Sequence, residues 1–320
     1  ADPRPRRPPG VTVHASDPPR WAVPSLAAWW VVAAALFFAA PAPPATPLTT
    51  PEDEAIFRRQ VEQTVARTRR WQETRGDLTL PWDAARGRLA VVIDDVGREL
   101  HLFDQLLALR FPLTFSVLPG SVYAAGAQVR LRGDRRRPRE ILLHLPSEPL
   151  DAAMMRGGAE AQEHFLRVAD PPDRLRSALE AALERIPAAT GVNNHMGSRL
   201  TADRPAMDAL MPTLRARGLY FLDSRTTSHS QALAAAEAAG VPALGRDIFL
   251  DHDPSPEAIL AQMRKAAARA REAPTVVIAH PSQEVVDVLR AELPRLFREG
   301  IAVYPLGEFL ARERDAKERR

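Results

Sequence analysis

The sequence contains no cysteine, and this absence removes several classes of protein from consideration. Without thiols the chain cannot carry a disulfide scaffold, a thiolate zinc site, an iron–sulfur cluster or a cysteine nucleophile. Lysine is nearly absent too, since Lys265 and Lys317 are the only two, and arginine supplies the remaining positive charge. The formal net charge of +3 over 320 residues is too small to indicate nucleic-acid binding, so no nucleic-acid partner is expected.

Charge is missing altogether from the stretch between Trp21 and Pro51. Its first part, Trp21–Ala42, is strongly apolar and would span about 33 Å as a helix, enough to cross the hydrocarbon core of a bilayer. Arginines precede this stretch and acidic residues follow it, which places the N-terminus in the cytoplasm. We interpret residues 1–20 as a basic cytoplasmic tail and residues 21–42 as an inner-membrane anchor. A cleaved signal peptide is the alternative.

The remainder of the chain is therefore expected in the bacterial cell envelope, with the main domain in the periplasm, or secreted if the N-terminal segment is cleaved. Residues 43–88 are interpreted as a Pro-rich linker followed by a spacer helix over Glu52–Arg75, where apolar residues form an imperfect stripe. Residues 89–310 are predicted to form the folded domain. Residues 311–320 are predicted to be a charged C-terminal tail. The oligomeric state cannot be predicted from the sequence.

Short, continuous apolar runs alternate with helical segments through residues 89–310. Such runs are typical of strands buried on both faces, and their alternation with helices predicts an α/β fold with a parallel sheet. A distorted (β/α) barrel of about seven strands is the expected architecture, with an open doubly wound sheet as the alternative. Nucleotide-binding versions lose support because no glycine-rich fingerprint follows the first strand. The predicted strands are Leu89–Ile93, Leu113–Leu118, Ile141–Leu143, Gly191–Asn193, Leu219–Leu222, Ile248–Leu250, Thr275–Ala279 and Ile301–Tyr304; the predicted helices are Leu100–Leu109, Pro172–Ile186, Ala206–Arg217, Ser255–Glu272 and Glu284–Phe297.

Polar and ionisable residues follow the predicted strands at the point where each one ends. In such folds the functional groups gather at the C-terminal ends of the strands. Carboxylates and imidazoles are expensive to bury alone, so their convergence on one rim is hard to attribute to solvation. Three histidines and a paired aspartate suit a divalent metal with open coordination positions. The residues are Asp94 and Asp95, His144, the Asn193–Asn194–His195 run, Asp223 and Ser224, Asp247 and Asp251, and His280.

The motifs around these residues resemble the divergent polysaccharide deacetylase family, an exported branch related to carbohydrate esterases that remove N-acetyl groups from sugars. The resemblance covers roughly Leu89 to Leu310 in unbroken order. It implies the same distorted barrel, a glycan substrate and a divalent metal cofactor, with zinc the expected ion. The segments that carry it are IDDVG at 93–97, HLP at 144–146, GVNNHMGS at 191–198, FLDSRTT at 221–227, RDIFLD at 246–251 and His280-Pro281.

The resemblance to the wider deacetylase superfamily implies a role for each matched residue. Asp94 is the expected general base, Asp95 a metal ligand and His280 the general acid. The superfamily has two metal histidines close together in one motif, whereas here only His144 occupies that strand, and His195 is assigned as the second histidine ligand. Asp223 is expected to orient His280 or a partner of Asp94, and Asn193 and Asn194 to fix the imidazole of His195. Other expected supporting or substrate-binding residues are Ser198, Ser224, Arg225, Arg246, Asp247 and Asp251.

Two further functions compete with a metal-dependent amide hydrolase. The divided histidine motif would suit an inactive glycan- or metal-binding envelope protein on the same fold, although the retained Asp94–Asp95 pair and His280 oppose it. A metallophosphoesterase ranks last, because the sequence lacks the dense ligand set of a two-metal site.

Overall fold

The computed structural model describes residues 76–134, 136–137, 139–156 and 163–318, together with helical positions 55, 56, 59, 62 and 63. Contacts divide the chain into two compact units, residues 1–64 and 65–320. In the first unit the five described positions are helical and exposed, and they fall within the predicted spacer helix. The predicted basic tail, membrane anchor and Pro-rich linker lie outside the described residues. No helix in the described part of the chain is long and apolar enough to cross a membrane.

In the second unit, every strand pairing is parallel, and together the strands form one curled sheet. The strand order is β6-β5-β4-β3-β2-β1-β8-β7, and β9 pairs with the first residues of β1. The end strands β6 and β7 are joined by Arg246 and Asp247, so the chain passes directly from one end of the sheet to the other. The strands are β1 Gly87–Val96, β2 Thr114–Val117, β3 Glu140–Ser147, β4 Gly191–Met196, β5 Tyr220–Asp223, β6 Ala243–Gly245, β7 Ile248–Phe249, β8 Thr275–Ala279 and β9 Ile301–Val303.

Helices connect most successive strands, as the sequence predicts, and the result is a parallel half-barrel consistent with the (β/α) barrel expected. The described strands number nine rather than about seven: eight correspond to the predicted apolar runs, and β6, which has only three residues, is the addition. Three helices were not predicted: α2, α5 and α8. The helices are α1 His101–Leu107, α2 Ala124–Arg132, α3 Pro172–Arg185, α4 Arg204–Ala216, α5 Ala232–Ala239, α6 Pro256–Glu272, α7 Gln283–Arg298 and α8 Leu306–Glu318, with short 3₁₀ turns at Trp82–Ala84 and Ala152–Met155.

The two faces of the sheet are both covered, each by its own set of side chains. Successive residues of a strand point to opposite faces, so Leu89, Val91 and Ile93 of β1 share one face and pack in the larger core with the surrounding helices. Ala90 and Val92 belong to a second core on the concave face, which contains side chains from β8, β9 and α8. This alternation fixes which residues beyond each strand point into the mouth of the half-barrel.

Residues 76–86 pack against the barrel, although the sequence assigned them to the linker. The Trp82 ring lies 4.9 Å from Tyr304 and 5.7 Å from Phe309, and the Tyr304 hydroxyl donates to the Leu80 carbonyl oxygen at 3.0 Å. Asp77 accepts hydrogen bonds from Arg139, whose side chain is buried at the start of β3. The domain therefore begins before residue 89. At the other end, α8 continues to Glu318 and includes most of the segment predicted to be a charged tail.

Candidate active site

The concave face of the barrel ends in a ring of polar side chains. Val92, Leu142, Leu222 and Ile278 all belong to the concave core, and the residue two positions beyond each shares its face. These residues are Asp94, His144, Ser224 and His280. In β4, Val192 faces outward, so Asn193 and His195 face the mouth of the half-barrel and join the same ring. The strand period thus delivers six polar side chains to one mouth.

Asp95, His144 and His195 offer one ligand atom each within 4.8 Å of one another. His144 Nε2 lies 3.2 Å from Asp95 Oδ1, and His195 Nδ1 lies 3.0 Å from the same oxygen. The two ring nitrogens are 3.2 Å apart. Asp95 Oδ1 is buried, and none of the described residues donates a hydrogen bond of acceptable geometry to it. A buried carboxylate oxygen that faces two imidazole nitrogens fits a divalent cation.

The backbone at Asp95 adopts a left-handed conformation, with φ of 56°. A non-glycine residue is strained there, and such strain is retained where the surrounding structure enforces it. By simple alternation Asp95 would face away from Asp94, yet its carboxylate lies beside the two histidines. Met196, directly after His195, has φ of 53° and shows the same conformation. The two turns that hold the ligand atoms together are therefore both strained.

The partner of each histidine decides which ring nitrogen faces the cluster. His144 Nδ1 lies 3.0 Å from Asn193 Oδ1, an oxygen that also accepts from the Ser116 hydroxyl. Since an amide oxygen can only accept, Nδ1 carries a proton, and Nε2 is the ring nitrogen that faces Asp95 and could bind a metal. Asn193 therefore orients His144 and not His195, which corrects the sequence-based expectation.

Asp94 and Asp95 are neighbours in sequence but have opposite electrostatic environments. Burial raises the pKa of Asp94, against the opposing attraction of His144. Burial also opposes ionisation of Asp95, but the favourable electrostatic interaction with His144 and His195 holds the pKa of this carboxyl well below its usual range. Burial lowers the pKa of His195, whereas the attraction of Asp94 and Asp95 outweighs burial and raises the pKa of His144. Asp95 is thus the permanently charged member of the pair.

The carboxylate of Asp94 is held by the Asn193 amide, which donates to Oδ1 at 2.9 Å and to Oδ2 at 3.1 Å. The same amide nitrogen also lies 3.2 Å from Ser224 Oγ. Asn193 thus connects Asp94 to His144 through its two ends. Asn194 stabilises the adjacent turns, since its amide donates to the Met196 carbonyl oxygen and its own oxygen accepts from the Ser224 backbone.

His280 is oriented by Asp251, and not by Asp223 as the sequence suggested. The Asp251 carboxylate accepts from the His280 backbone nitrogen at 2.7 Å and lies 3.3 Å from Nδ1. Asp223 instead accepts from the Arg225 backbone nitrogen at 2.8 Å. The reason is the alternation of side chains along the strand. Asp223 lies two residues after Phe221 and therefore shares its outward face. Burial alone would lower the pKa of His280, but Asp251 raises it to about 9.

These side chains line one cavity of about 460 Å³, a volume within the usual range of small-molecule sites. Its polar wall contains Asp94, Asp95, His144, His195 and His280. Apolar atoms come from Pro149, Met154, Met196 and Phe249. Ser198 also lines it, and its hydroxyl accepts from the Leu150 backbone nitrogen at 2.9 Å. Fixed polar groups at the base of a partly apolar cavity are typical of an active site.

Three of the predicted supporting residues lie beside this cavity rather than in it. Arg225, Arg246 and Asp247 line a neighbouring cavity, as does His252. Arg246 donates to the carbonyl oxygens of Ser224 and Arg225, and Asp247 pairs with Arg269.

The sequence did not reveal the importance of three further residues. Arg98 Nη1 lies 3.1 Å from Asp95 Oδ2, so the guanidinium holds the carboxylate oxygen that does not face the histidines. Phe165 lies with its ring centroid 6.0 Å from that of His195. Ser116 was the one that could have been found, since it is a hydroxyl within an apolar strand.

With the site described, comparison with known proteins identifies the class of protein. The sequence profile of the divergent polysaccharide deacetylases matches residues 91–310, well over half of the chain. The chain belongs to this family, as its motifs indicated.

Two relatives and one crystal structure resemble the chain over most of the domain. It is 34% identical to the uncharacterized protein YibQ of Escherichia coli strain K12 over 67% of this chain and 64% of that protein, so the match spans just under two thirds of YibQ. It is 33% identical to an uncharacterized protein of Haemophilus influenzae over 72% of this chain and 79% of that one. The crystal structure of the uncharacterized protein ATU2773 from Agrobacterium tumefaciens C58 has a TM-score of 0.62 at 24% identity, over 73% of this chain and 93% of that one, and supports the fold.

Proposed function

We propose that this chain is a metal-dependent hydrolase that removes N-acetyl groups from a glycan of the cell envelope. The observation that carries the proposal is the convergence of Asp95, His144 and His195 within 4.8 Å, beside Asp94 and His280 in one cavity. Family membership supports the reaction class. Asp95, His144 and His195 would hold the ion, with zinc the expected metal. When bound, it supplies Lewis acidity that polarises a carbonyl oxygen.

The protein's own residues supply the proton transfers. Asp94 accepts a proton from the attacking water, and its raised pKa makes it a better base than an exposed aspartate. Asn193 keeps the Asp94 carboxylate in position throughout. His280 has Nδ1 beside Asp251, which leaves Nε2 free to protonate the departing amine. Because the pKa of His280 is about 9, the acid is charged before the reaction begins.

Metal content and acetate release test this proposal together. We expect the wild-type protein to retain about one divalent ion after dialysis and to release acetate from chito-oligosaccharides. His144→Ala should lose the ion, because one of three ligands is removed. His101→Ala is the matched control, since His101 is exposed on α1 and lies outside the cluster. Equal metal in the wild type and in His144→Ala would contradict the ligand assignment.

Failure of acetate release would favour the other function considered. A wild-type protein that binds metal and chito-oligosaccharides but releases no acetate would be a glycan-binding protein on the deacetylase fold.

We also propose that the domain is tethered to the inner membrane and faces the periplasm. The support comes from the uncharged Trp21–Pro51 stretch and the arginines before it. Carbonate extraction of membranes tests this, because a tethered protein stays in the pellet. Recovery from the soluble periplasmic fraction, with an N-terminus beginning after Ala40, would contradict it.

A further inference from the structure

A second cavity of about 510 Å³ borders the candidate active site. Thr226 and Phe249 line both cavities, so the two share a wall. The second cavity lies where Arg246 and Asp247 join the end strands β6 and β7. It is therefore built at the seam of the half-barrel, next to the predicted acid, His280.

Positive charge predominates in this second cavity. Arg225, Arg246 and Lys265 line it, and His252 lies at the same wall. Asp247 is the one acidic residue among the described residues that line it, and its carboxylate is already engaged. Arg269 Nη2 lies 2.7 Å from one Asp247 oxygen, and the Val276 backbone nitrogen donates to the other at 2.9 Å. The cavity thus offers more positive charge than its own acid neutralises.

Arg246 is held rigidly in this position. Its Nε donates to the Ser224 carbonyl oxygen at 2.6 Å and Nη2 to the Arg225 carbonyl oxygen at 2.8 Å. The guanidinium carbon lies 4.8 Å from the centroid of the Phe249 ring. An arginine fixed in this way loses little conformational entropy when it binds an anion.

Arg225 is brought to the same wall by strained backbone. Its φ is 49°, and a side chain at Gly245 would place Cβ only 2.7 Å from Arg225 Nε. Glycine at this position therefore leaves the space that the Arg225 side chain occupies. Burial lowers the pKa of Arg246 against the attraction of Asp223, and the neighbouring Arg225 lowers it further. Like charges held together in this way are stabilised by a bound anion.

One aromatic ring separates these cations from the predicted acid. The Phe249 ring centroid lies 5.1 Å from that of His280, and the same Phe249 ring contacts the Arg246 guanidinium. A glycan with its acetamide beside His280 would therefore present its neighbouring substituents to Arg225, Arg246 and Lys265.

We propose that this cavity binds an acidic group, a carboxylate or a phosphate ester, carried by the glycan close to the acetamide. The substrate class is then an anionic N-acetylated glycan. This inference rests on the proposed function and specifies its substrate.

Binding of matched neutral and acidic oligosaccharides tests the inference. The full chain carrying Asp94→Asn is used throughout to prevent turnover, and affinities are measured by calorimetry at low salt. The first pair is chitotetraose and a tetrasaccharide that alternates N-acetylglucosamine with glucuronic acid. The second pair is N,N′-diacetylchitobiose and its 6-phosphate. We expect the acidic member of at least one pair to bind about tenfold more tightly, a preference that salt reduces. The pair that shows it identifies a carboxylate or a phosphate.

Charge-removing variants locate the preference. Lys265→Gln and Arg225→Gln should each reduce the ratio of neutral to acidic dissociation constants about fivefold, through the loss of one charge-assisted contact. Arg264→Gln is the matched control, because Arg264 precedes Lys265 on α6 and lines a different cavity. Its ratio should equal that of the parent.

Three outcomes would overturn the inference. Equal affinities within both pairs would overturn it and leave the proposed function intact. If Arg264→Gln reduced the preference for the acidic oligosaccharide as much as Lys265→Gln does, the preference would come from general surface charge and not from this cavity. Absence of binding by all four oligosaccharides would overturn this inference and the proposed function together.

Discussion

Two adjacent aspartates are suited to different tasks because their surroundings separate their proton affinities. Asp94 is buried and continues the alternation of β1, whereas Asp95 is turned towards the two imidazoles by a left-handed backbone. Burial raises the pKa of Asp94, and the histidines keep Asp95 ionised. Carboxyl groups whose pKa values are moved apart in this way are suited to separate roles, here the base and the ligand.

Asp94→Asn should separate catalysis from metal binding. The asparagine is nearly isosteric and can still accept from Asn193, so the fold and the metal content should stay unchanged. Acetate release should fall by about 10²–10⁴, because a positioned base has been removed. Metal analysis and single-turnover kinetics on the same preparation measure both effects. Loss of the ion together with activity would show that Asp94 is a ligand instead of the base.

The role proposed for His280 as general acid predicts a specific pH dependence. Its pKa of about 9 keeps it protonated through neutral pH, so the rate should decline only as the pH rises towards 9. Asp251→Asn removes the main cause of this raised pKa, and the alkaline decline should move to lower pH. The pH profile of kcat and an NMR titration of the His280 ring measure the shift.

Asp223→Asn is the control for this assignment. Asp223 bonds the Arg225 backbone and does not contact the His280 ring, so its replacement should leave the alkaline decline in place. If Asp223→Asn moved the decline and Asp251→Asn did not, Asp223 would be the orienting residue that the sequence suggested.

At the scale of elements, the sequence predicts those parts whose side chains form strong patterns. The five-residue run at Leu89–Ile93 indicated β1, and the apolar stripes of α3, α4, α6 and α7 were clear. Helices α2 and α5 were missed because they form a weak apolar stripe: α5 buries only alanine, and α2 buries one leucine beside two alanines and a glutamine. Strand β6 was missed because three residues at an edge show no periodicity.

The same distinction applies to the site. Its members could be located at strand ends from the sequence, but their partners could not. Pairing of His144 with Asn193 depends on the register between β3 and β4, and pairing of His280 with Asp251 depends on the register between β7 and β8. The alternation of side chains along β5 could have excluded Asp223, since it shares with Phe221 the face that points towards the helices.

A buried arginine at the start of β3 joins three segments and provides a stability prediction. Arg139 pairs with Asp77 and with Asp134, and its side chain is 1% exposed. Arg139→Met would remove this partner from both carboxylates, which keep ion pairs with Arg136 and Arg137, so we expect the free energy of unfolding to fall by about 1.5–3 kcal/mol, the range for a hydrogen bond to a charged group. Urea denaturation measures the change. Arg174→Met is the control, because Arg174, which pairs with Asp170, is 75% exposed, and this pair should contribute at most about 1 kcal/mol.

This contribution should depend on pH with a definite sign. Burial opposes ionisation of Asp134, but hydrogen bonds from Arg136 and Arg139 lower its pKa below 3.8. A carboxyl with a lowered pKa in the folded state stabilises fully above the unfolded value and loses its effect as the pH falls through the folded value. The difference between the wild type and Arg139→Met should therefore shrink below pH 3.8. A difference that stayed constant there would assign the effect to packing alone.

At the scale of the whole molecule, the position of the site follows from parallel topology. All strands point the same way, so their C-terminal ends meet at one mouth, where the residues of the candidate active site lie. Opposite the mouth, residues 76–86 pack on side chains of the concave core. Residues 76–86 therefore contribute to the core of the described domain, although they precede the first apolar strand run of the sequence.

Two truncations test where the folded domain begins. A chain starting at residue 76 keeps Leu80, Trp82 and the Asp77–Arg139 pair. It should unfold cooperatively, with a free energy of unfolding in the ordinary range for a domain. A chain starting at residue 87 retains every strand but exposes the surface that Trp82 covers on Tyr304 and Phe309. It also leaves Arg139 without Asp77.

The shorter chain should lose about 5 kcal/mol or more, since a buried ion pair and an aromatic contact are removed together. That loss is comparable with the total stability of an ordinary domain, so we expect aggregation or a non-cooperative transition in urea. Circular dichroism during denaturation compares the two chains directly. Equal unfolding free energies would restore the boundary that the sequence placed at residue 89 and would make residues 76–86 a dispensable extension.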